Sequence, residues 1–174
     1  MSVATVSIAE SNGTTPTITA SITNSNMGSV DAVNLDPVAN PITAGNNSFE
    51  KWQRFNVSNM GTSSAIQNLQ VWASAALGTG ATHKTNARTG SYGGAQTFNT
   101  GTGPLATDRS ATYGYTQTMP TAAPGAANLG IGGALAGSLT ATGYSDYLVT
   151  QIQLTGGAVA GATATMSYQY DEVS

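Results

Sequence analysis

Between its turn signals this chain alternates apolar with polar residues at a period of two, a pattern that half-buried strands satisfy and helices do not. Ile18, Ala20 and Ile22 alternate with Thr17, Thr19, Ser21 and Thr23. Over residues 147–154, Leu148, Thr150, Ile152 and Leu154 oppose Tyr147, Val149, Gln151 and Gln153. Over residues 49–57, Phe49, Lys51, Gln53, Phe55 and Val57 share one parity, and Glu50, Trp52, Arg54 and Asn56 the other. That mixture of aromatic and ionic groups predicts an exposed edge or an inter-subunit face. Residues 66–74 put Leu69, Val71 and Ala73 on one side and Asn68, Gln70 and Trp72 on the other, so the Trp predicts a second apolar contact.

Shorter signals fill in the chain. Residues 3–8 are β-prone around Val3, Val6 and Ile8 and stop at the turn Ser11-Asn12-Gly13. Residues 30–35 form a less regular candidate, broken by Asp36-Pro37 and Pro41. Residues 111–118 carry Tyr113 and Tyr115 on one parity and end at Met119-Pro120. Ala164, Met166, Tyr168 and Tyr170 alternate with polar residues, and Gly156-Gly157 predicts a hairpin between this run and residues 147–154. Residues 78–103 read as a long Gly/Thr/Asn-rich excursion anchored by Tyr92 and Phe98, and residues 122–139 as an uncharged loop of small residues. The expectation is an all-β antiparallel sandwich with long Gly/Thr/Ala-rich loops. Residues 1–29 are expected to form an extended N-terminal arm or extra strands, and residues 30–174 the sandwich domain.

Charge narrows what such a sandwich can do. Only 7% of the 174 residues are Asp, Glu, Lys or Arg, against about a quarter in an ordinary soluble domain. A net charge of −3 argues against a nucleic-acid partner, which needs clustered Lys and Arg to neutralise phosphates. Having no Cys, the chain has no disulfides, thiolate metal sites or Cys nucleophiles. Met1 to Thr5 lacks a basic leader region, so the expected setting is the cytosol or a particle assembled there. The uncharged residues 122–139 are too rich in Gly and Pro to make a good membrane-spanning helix.

Candidate chemistry is correspondingly thin. His83 is the single histidine, so a triad would need it with Asp108 or Asp146 as orienter, and zinc has too few ligands. Beside Lys84 in a Gly/Thr-rich stretch, His83 is expected to be solvated or to make contacts. Asp171 and Glu172 point to opposite faces if they lie in a strand, which suits solubilising charges better than a paired acid and base. Asp108-Arg109 reads as a local ion pair. Gly130-Ile131-Gly132-Gly133 lacks the Lys and helix start of a phosphate loop. His83, Lys84 and Arg88 read as a solvated basic trio whose second reading is an acidic neighbour. Asn12, Asn46 and Asn56 head glycosylation triplets expected to be accidents of composition. Exposed Tyr and Trp would offer a glycan platform, against the usual fate of strand aromatics in a core. No catalytic, cofactor or metal-binding residue is expected, and the chain is not expected to be an enzyme.

Several segments together resemble a module of tailed-bacteriophage structural proteins. They are Leu35-Asp36-Pro37-Val38, Ile42-Thr43-Ala44-Gly45, the strand of residues 49–57, Asn59-Met60-Gly61-Thr62 and Ile66-Gln67-Asn68-Leu69-Gln70-Val71-Trp72. Leu129-Gly130-Ile131-Gly132-Gly133-Ala134-Leu135-Ala136-Gly137 and Tyr168-Gln169-Tyr170-Asp171-Glu172 are similar to its closing half. The resemblance implies an Ig-like β-sandwich in a virion, acting as a capsid decoration or cement protein, with tail or neck components as rivals. It implies the major capsid protein or another virion component as partner, homo-oligomers on the particle, and no active-site residues. The contact elements then expected are an arm at residues 1–13, the loop of residues 78–103 and residues 122–139.

Overall fold

The computed structural model describes residues 2–13, 15–89, 92, 118–161 and 163–174. Among them there is no helix. Nine strands run in the order β1 (Thr5–Asn12), β2 (Thr17–Thr19), β3 (Lys51–Asn59), β4 (Ala65–Ala73), β5 (Ala81–Arg88), β6 (Ser138–Leu139), β7 (Gly143–Tyr144), β8 (Tyr147–Leu154) and β9 (Met166–Val173). They form two antiparallel sheets, one of six strands in the order β2-β1-β3-β8-β5 with β7 also on β3, and one of three in the order β6-β4-β9.

β3 is the axis of the larger sheet. One edge pairs with β1, from Val6↔Val57 to Ser11↔Trp52. The other is shared by β8, from Lys51↔Thr150 to Gln53↔Leu148, and by β7 at Asn56 and Val57. Between β7 and β8, Ser145 keeps the ladder closed: its N–H donates to the Phe55 carbonyl (3.1 Å) and its Oγ accepts from the Phe55 N–H (2.9 Å). The predicted exposed face on this strand is therefore corrected. Lys51, Trp52, Gln53, Phe55 and Val57 are all buried, because a central strand in a sheet covered on both faces has no free side.

The apolar core lies between the sheets. Phe55 and Val57 meet Ile66, Leu69, Val71, Leu148 and Leu129, and Phe55 takes edge-on contacts from Tyr168 and Tyr170 at centroid distances of 5.9 and 6.3 Å. Alternation alone would send Ile66 and Leu69 to opposite faces of β4. Asn68 resolves the conflict by taking a left-handed conformation (φ 53°) where the register against β9 shifts between Gln67 and Gln70. This β-bulge turns both apolar residues inward.

Residues 122–139 close one end of the sandwich and contribute Leu129 and Ile131 to the core. Asn128 fastens them by imitating a strand: its Oδ1 accepts from the Val71 N–H (2.8 Å) and its Nδ2 donates to the Val71 carbonyl (2.7 Å). Gly137 packs so tightly that a Cβ there would lie 2.2 Å from the Ile131 carbonyl oxygen.

Three further expectations change. Residues 30–35 form turns rather than a strand, consistent with the Pro residues that follow. Residues 81–88, read as part of a long loop, are strand β5, paired along its whole length with β8. β8 and β9 do not form a hairpin, since the connection past Gly156-Gly157 carries the chain from one sheet to the other. Of the two forms expected for residues 1–29, residues 5–12 take that of an extra strand and not of a free arm, because β1 lies between β2 and β3. The strand predicted at residues 111–118 lies outside the described residues except for Thr118, which bridges Lys84. Of the predicted excursion, residues 90, 91 and 93–103 also lie outside them.

Candidate functional site

Among the described residues four charged side chains, Glu10, Glu50, Lys51 and Asp146, are buried, and four, Asp31, Arg54, Lys84 and Arg88, are half-buried. Of the eleven charged residues among those described, only Asp36, Asp171 and Glu172 are exposed, and all three are acidic. Asp171 accepts from Asn68 Nδ2 (2.8 Å), while Glu172 accepts from Ser63 Oγ (2.7 Å) and the Ala4 N–H (3.3 Å). What remains at the surface is largely Thr, Ser, Asn, Gly and Ala.

At the end of the inter-sheet space away from the apolar core sits a polar cluster. β1 continues its inward parity from Val6 and Ile8 to Glu10, which is fully buried and lies opposite Gln53. Lys51, 1% exposed, donates to Glu10 Oε1 at 2.7 Å and also to the Ala32 carbonyl. Gln53 Nε2 donates to Glu10 Oε2 (2.8 Å), and Asn12 Nδ2 donates to Glu10 Oε1 (3.0 Å) and to Asp31 Oδ1 (2.7 Å). The Tyr168 hydroxyl donates to Gln53 Oε1 (2.7 Å) and lies 3.1 Å from Ser25 Oγ. Burial pushes the Tyr168 phenol well above its ordinary pKa, the negative charge of Glu10 adding to the effect while the Ser25 bond opposes it.

On the opposite face of the larger sheet, aromatic rings and guanidinium groups are stacked. Trp52 is fully buried and meets Tyr92 and Tyr147 edge-on at 5.1 and 5.4 Å. Arg88 lies 5.1 Å from the Trp52 ring centroid, and Arg54 lies 3.7 Å over Tyr144 and 4.6 Å from Tyr147. Trp52 thus offers no open ring for a sugar, and the exposed Tyr144 has one ring face occupied by Arg54.

The smaller candidates resolve one by one. His83 is half-buried: it faces a cavity of about 130 Å³ with Ala73, Leu77 and Met119, and its Nε2 is shielded from water and has no hydrogen-bond partner. Burial lowers its pKa to about 4. Asp146 lies at the other end of β8, where it accepts from the Gly133 N–H (2.8 Å). Asp108 and Arg109 lie outside the described residues. His83, Lys84 and Arg88 do not form a solvated trio, since all three are half-buried on β5 and His83 faces away from the other two. Gly130 to Gly133 lead into a tight turn closed by reciprocal bonds between Ile131 and Ala134. Asn12 is engaged as described, and Asn56 is buried and donates to Ser7 Oγ (3.3 Å) and the Ala20 carbonyl (3.1 Å). No family model matches the chain, and no curated protein or solved structure matches it. Among the described residues there is no cluster of three His, Cys, Asp or Glu that could hold a metal, and no helix long and apolar enough to cross a membrane.

Two strand edges lie next to one another. β2 covers only the Glu10–Asn12 half of β1, after which Ile22 N–H donates to the Ile8 carbonyl (3.0 Å). Beyond that point a groove of about 570 Å³ separates β1 from the edge strand β9, with Val6, Ile8, Ile22, Met166 and Tyr168 in its walls. Sequence reasoning missed both this groove and the polar cluster, although the parity of Val6, Ile8 and Glu10 carried a signal for the latter.

Proposed function

We propose that this chain is a structural protein of a tailed-bacteriophage virion: a decoration, or cement, protein that seats on the exterior of the assembled capsid and stabilises it by bridging subunits. The observation that carries this reading is the surface from which charge has been withdrawn, with three exposed ionic side chains among the described residues. Taking an ion out of water at an interface costs several kcal/mol, so a neutral surface of hydroxyls, amides and methyls can be covered by neighbours with little penalty. A surface meant to stay free in solution is best given charge on about a quarter to a third of its residues. The two antiparallel sheets, with the chain passing between them after β3, β4, β5, β6 and β8, support the Ig-like form of sandwich.

The partner in this reading is the major capsid protein, with copies of the chain at symmetry-related positions, no nucleic acid or membrane, and no cofactor. The work is mechanical. A protein that binds the assembled lattice and not free subunits shifts assembly by mass action, and many equivalent contacts add up even when each is modest. The test is to titrate the purified chain onto assembled capsids and onto free capsid subunits and to measure cosedimentation and capsid melting. Saturation at a lattice-defined stoichiometry with a raised melting temperature is expected. A chain that stays in the supernatant with assembled capsids would overturn the proposal.

A further inference from the structure

A lysine and a glutamate sealed into the core of a protein so poor in charge call for an explanation, because a buried ion pair contributes little net stability compared with apolar residues of the same volume. The neighbours of the pair supply one. The β1–β3 ladder ends at Ser11↔Trp52, and continuing its register by one step brings Asn12 opposite Lys51. A single oxygen, Glu10 Oε1, lies 2.7 Å from Lys51 Nζ and 3.0 Å from Asn12 Nδ2. One carboxylate oxygen thus touches both a nucleophile and the leaving nitrogen of an amide. The Ala32 carbonyl accepts a second proton of Lys51, and Asp31 Oδ1 accepts from Asn12 Nδ2 (2.7 Å), so both partners are oriented from behind.

We infer that Lys51 and Asn12 join in an intramolecular isopeptide bond, with Glu10 as the proton shuttle. Glu10 takes a proton from the Lys51 ammonium, and the freed lone pair of Nζ attacks Asn12 Cγ to form the new C–N bond. The Cγ–Nδ2 bond then breaks. The proton held by Glu10 and a second one from Nζ pass to the departing nitrogen, which leaves as ammonium while Glu10 returns to carboxylate. No oxidant, metal or co-reactant is consumed. An amine and an amide brought to one carboxylate oxygen in this way react as an intramolecular pair, for which effective molarities reach roughly 10⁵ M or more when the groups are well aligned, and a desolvated lysine is a competent nucleophile. The bond would fasten β1 to β3 through the part of the sheet that β2 covers. This inference does not rest on the coat-protein reading, and either can fail alone.

Mass spectrometry of the folded, purified chain tests it. The expected mass is below that of the sequence by about 17 Da, the mass of the ammonia expelled when the amine is acylated. The first Lys or Arg of the chain is Lys51 and the next is Arg54, so the linked protein should give a tryptic peptide of residues 1–54 carrying the deficit. An unlinked chain is cut after Lys51. Cyclisation of Asn12 onto the Gly13 N–H would lose the same mass, but that N–H donates to Asp31 Oδ2 (2.7 Å), and the cyclised chain would still be cut at Lys51. Lys51→Arg, which keeps the cation but cannot be acylated, and Glu10→Gln should both show the full sequence mass. A wild-type chain of full mass, a deficit with cleavage after Lys51, or a deficit that survives Lys51→Arg would each overturn the inference.

Discussion

A half-buried imidazole whose Nε2 is shielded from water and has no partner is disfavoured in its charged form, which makes His83 a source of acid sensitivity. Its pKa falls from 6.5 to about 4 on folding because burial disfavours the charged form. The unfolded chain therefore binds more protons between those values, so stability is complete above pH 6.5 and is lost as the pH falls toward 4. The loss amounts to at most about 3 kcal/mol. His83→Gln should remove that part of the slope: urea midpoints of wild type and variant should diverge between pH 7 and 4, with the wild type losing more. Parallel curves would show that His83 is not the group responsible. The burial of this side chain was not legible from the sequence. Thr82, His83, Lys84, Thr85 and Asn86 form a polar run that reads as loop, and only its pairing with β8 makes it a strand with an inner face.

At the scale of elements, the sequence showed strands where alternation was uninterrupted and misled where one residue broke it. β3 and β8 were readable from their own residues. β4 was readable as a strand, but its facing was not, because the two apolar sets of opposite parity are reconciled only by the bulge at Asn68. Asn tolerates a left-handed backbone better than other residues bearing a Cβ, and a β-branched side chain is strongly disfavoured there. Asn68→Val should therefore destabilise the protein by about 1–2 kcal/mol, and Asn68→Gly should stay close to wild type, since it keeps the conformation and loses only the bond to Asp171. Urea unfolding of the three proteins decides the point, and a Val variant as stable as wild type would mean that the bulge does not set the facing of Ile66. The Gly156-Gly157 signal misled for a related reason. A turn says that the chain reverses, and not whether the returning strand joins the same sheet.

Over the whole molecule, the same economy of charge explains both the interior and the surface. Glu10, Lys51, Glu50 and Asp146 are buried, and Arg54 and Arg88 lie against aromatic rings, so the low charge of the sequence becomes a still lower charge at the surface. Composition made the first half of that legible. The second half depends on partners some forty residues apart, such as Glu10 and Lys51, which no local pattern connects. A surface of this kind makes a definite demand on how it binds. Association steered or held by charge weakens steeply with ionic strength, because the screening length shrinks from about 10 Å at 0.1 M salt to about 3 Å at 1 M. Contacts made by neutral polar and small apolar groups are nearly indifferent to salt over that range. The affinity of the chain for assembled capsids, measured by cosedimentation, should therefore change by less than about threefold between 0.1 and 1 M salt. A drop of tenfold or more would mean that charge holds the complex. That result would contradict the neutral-surface argument for a coat protein.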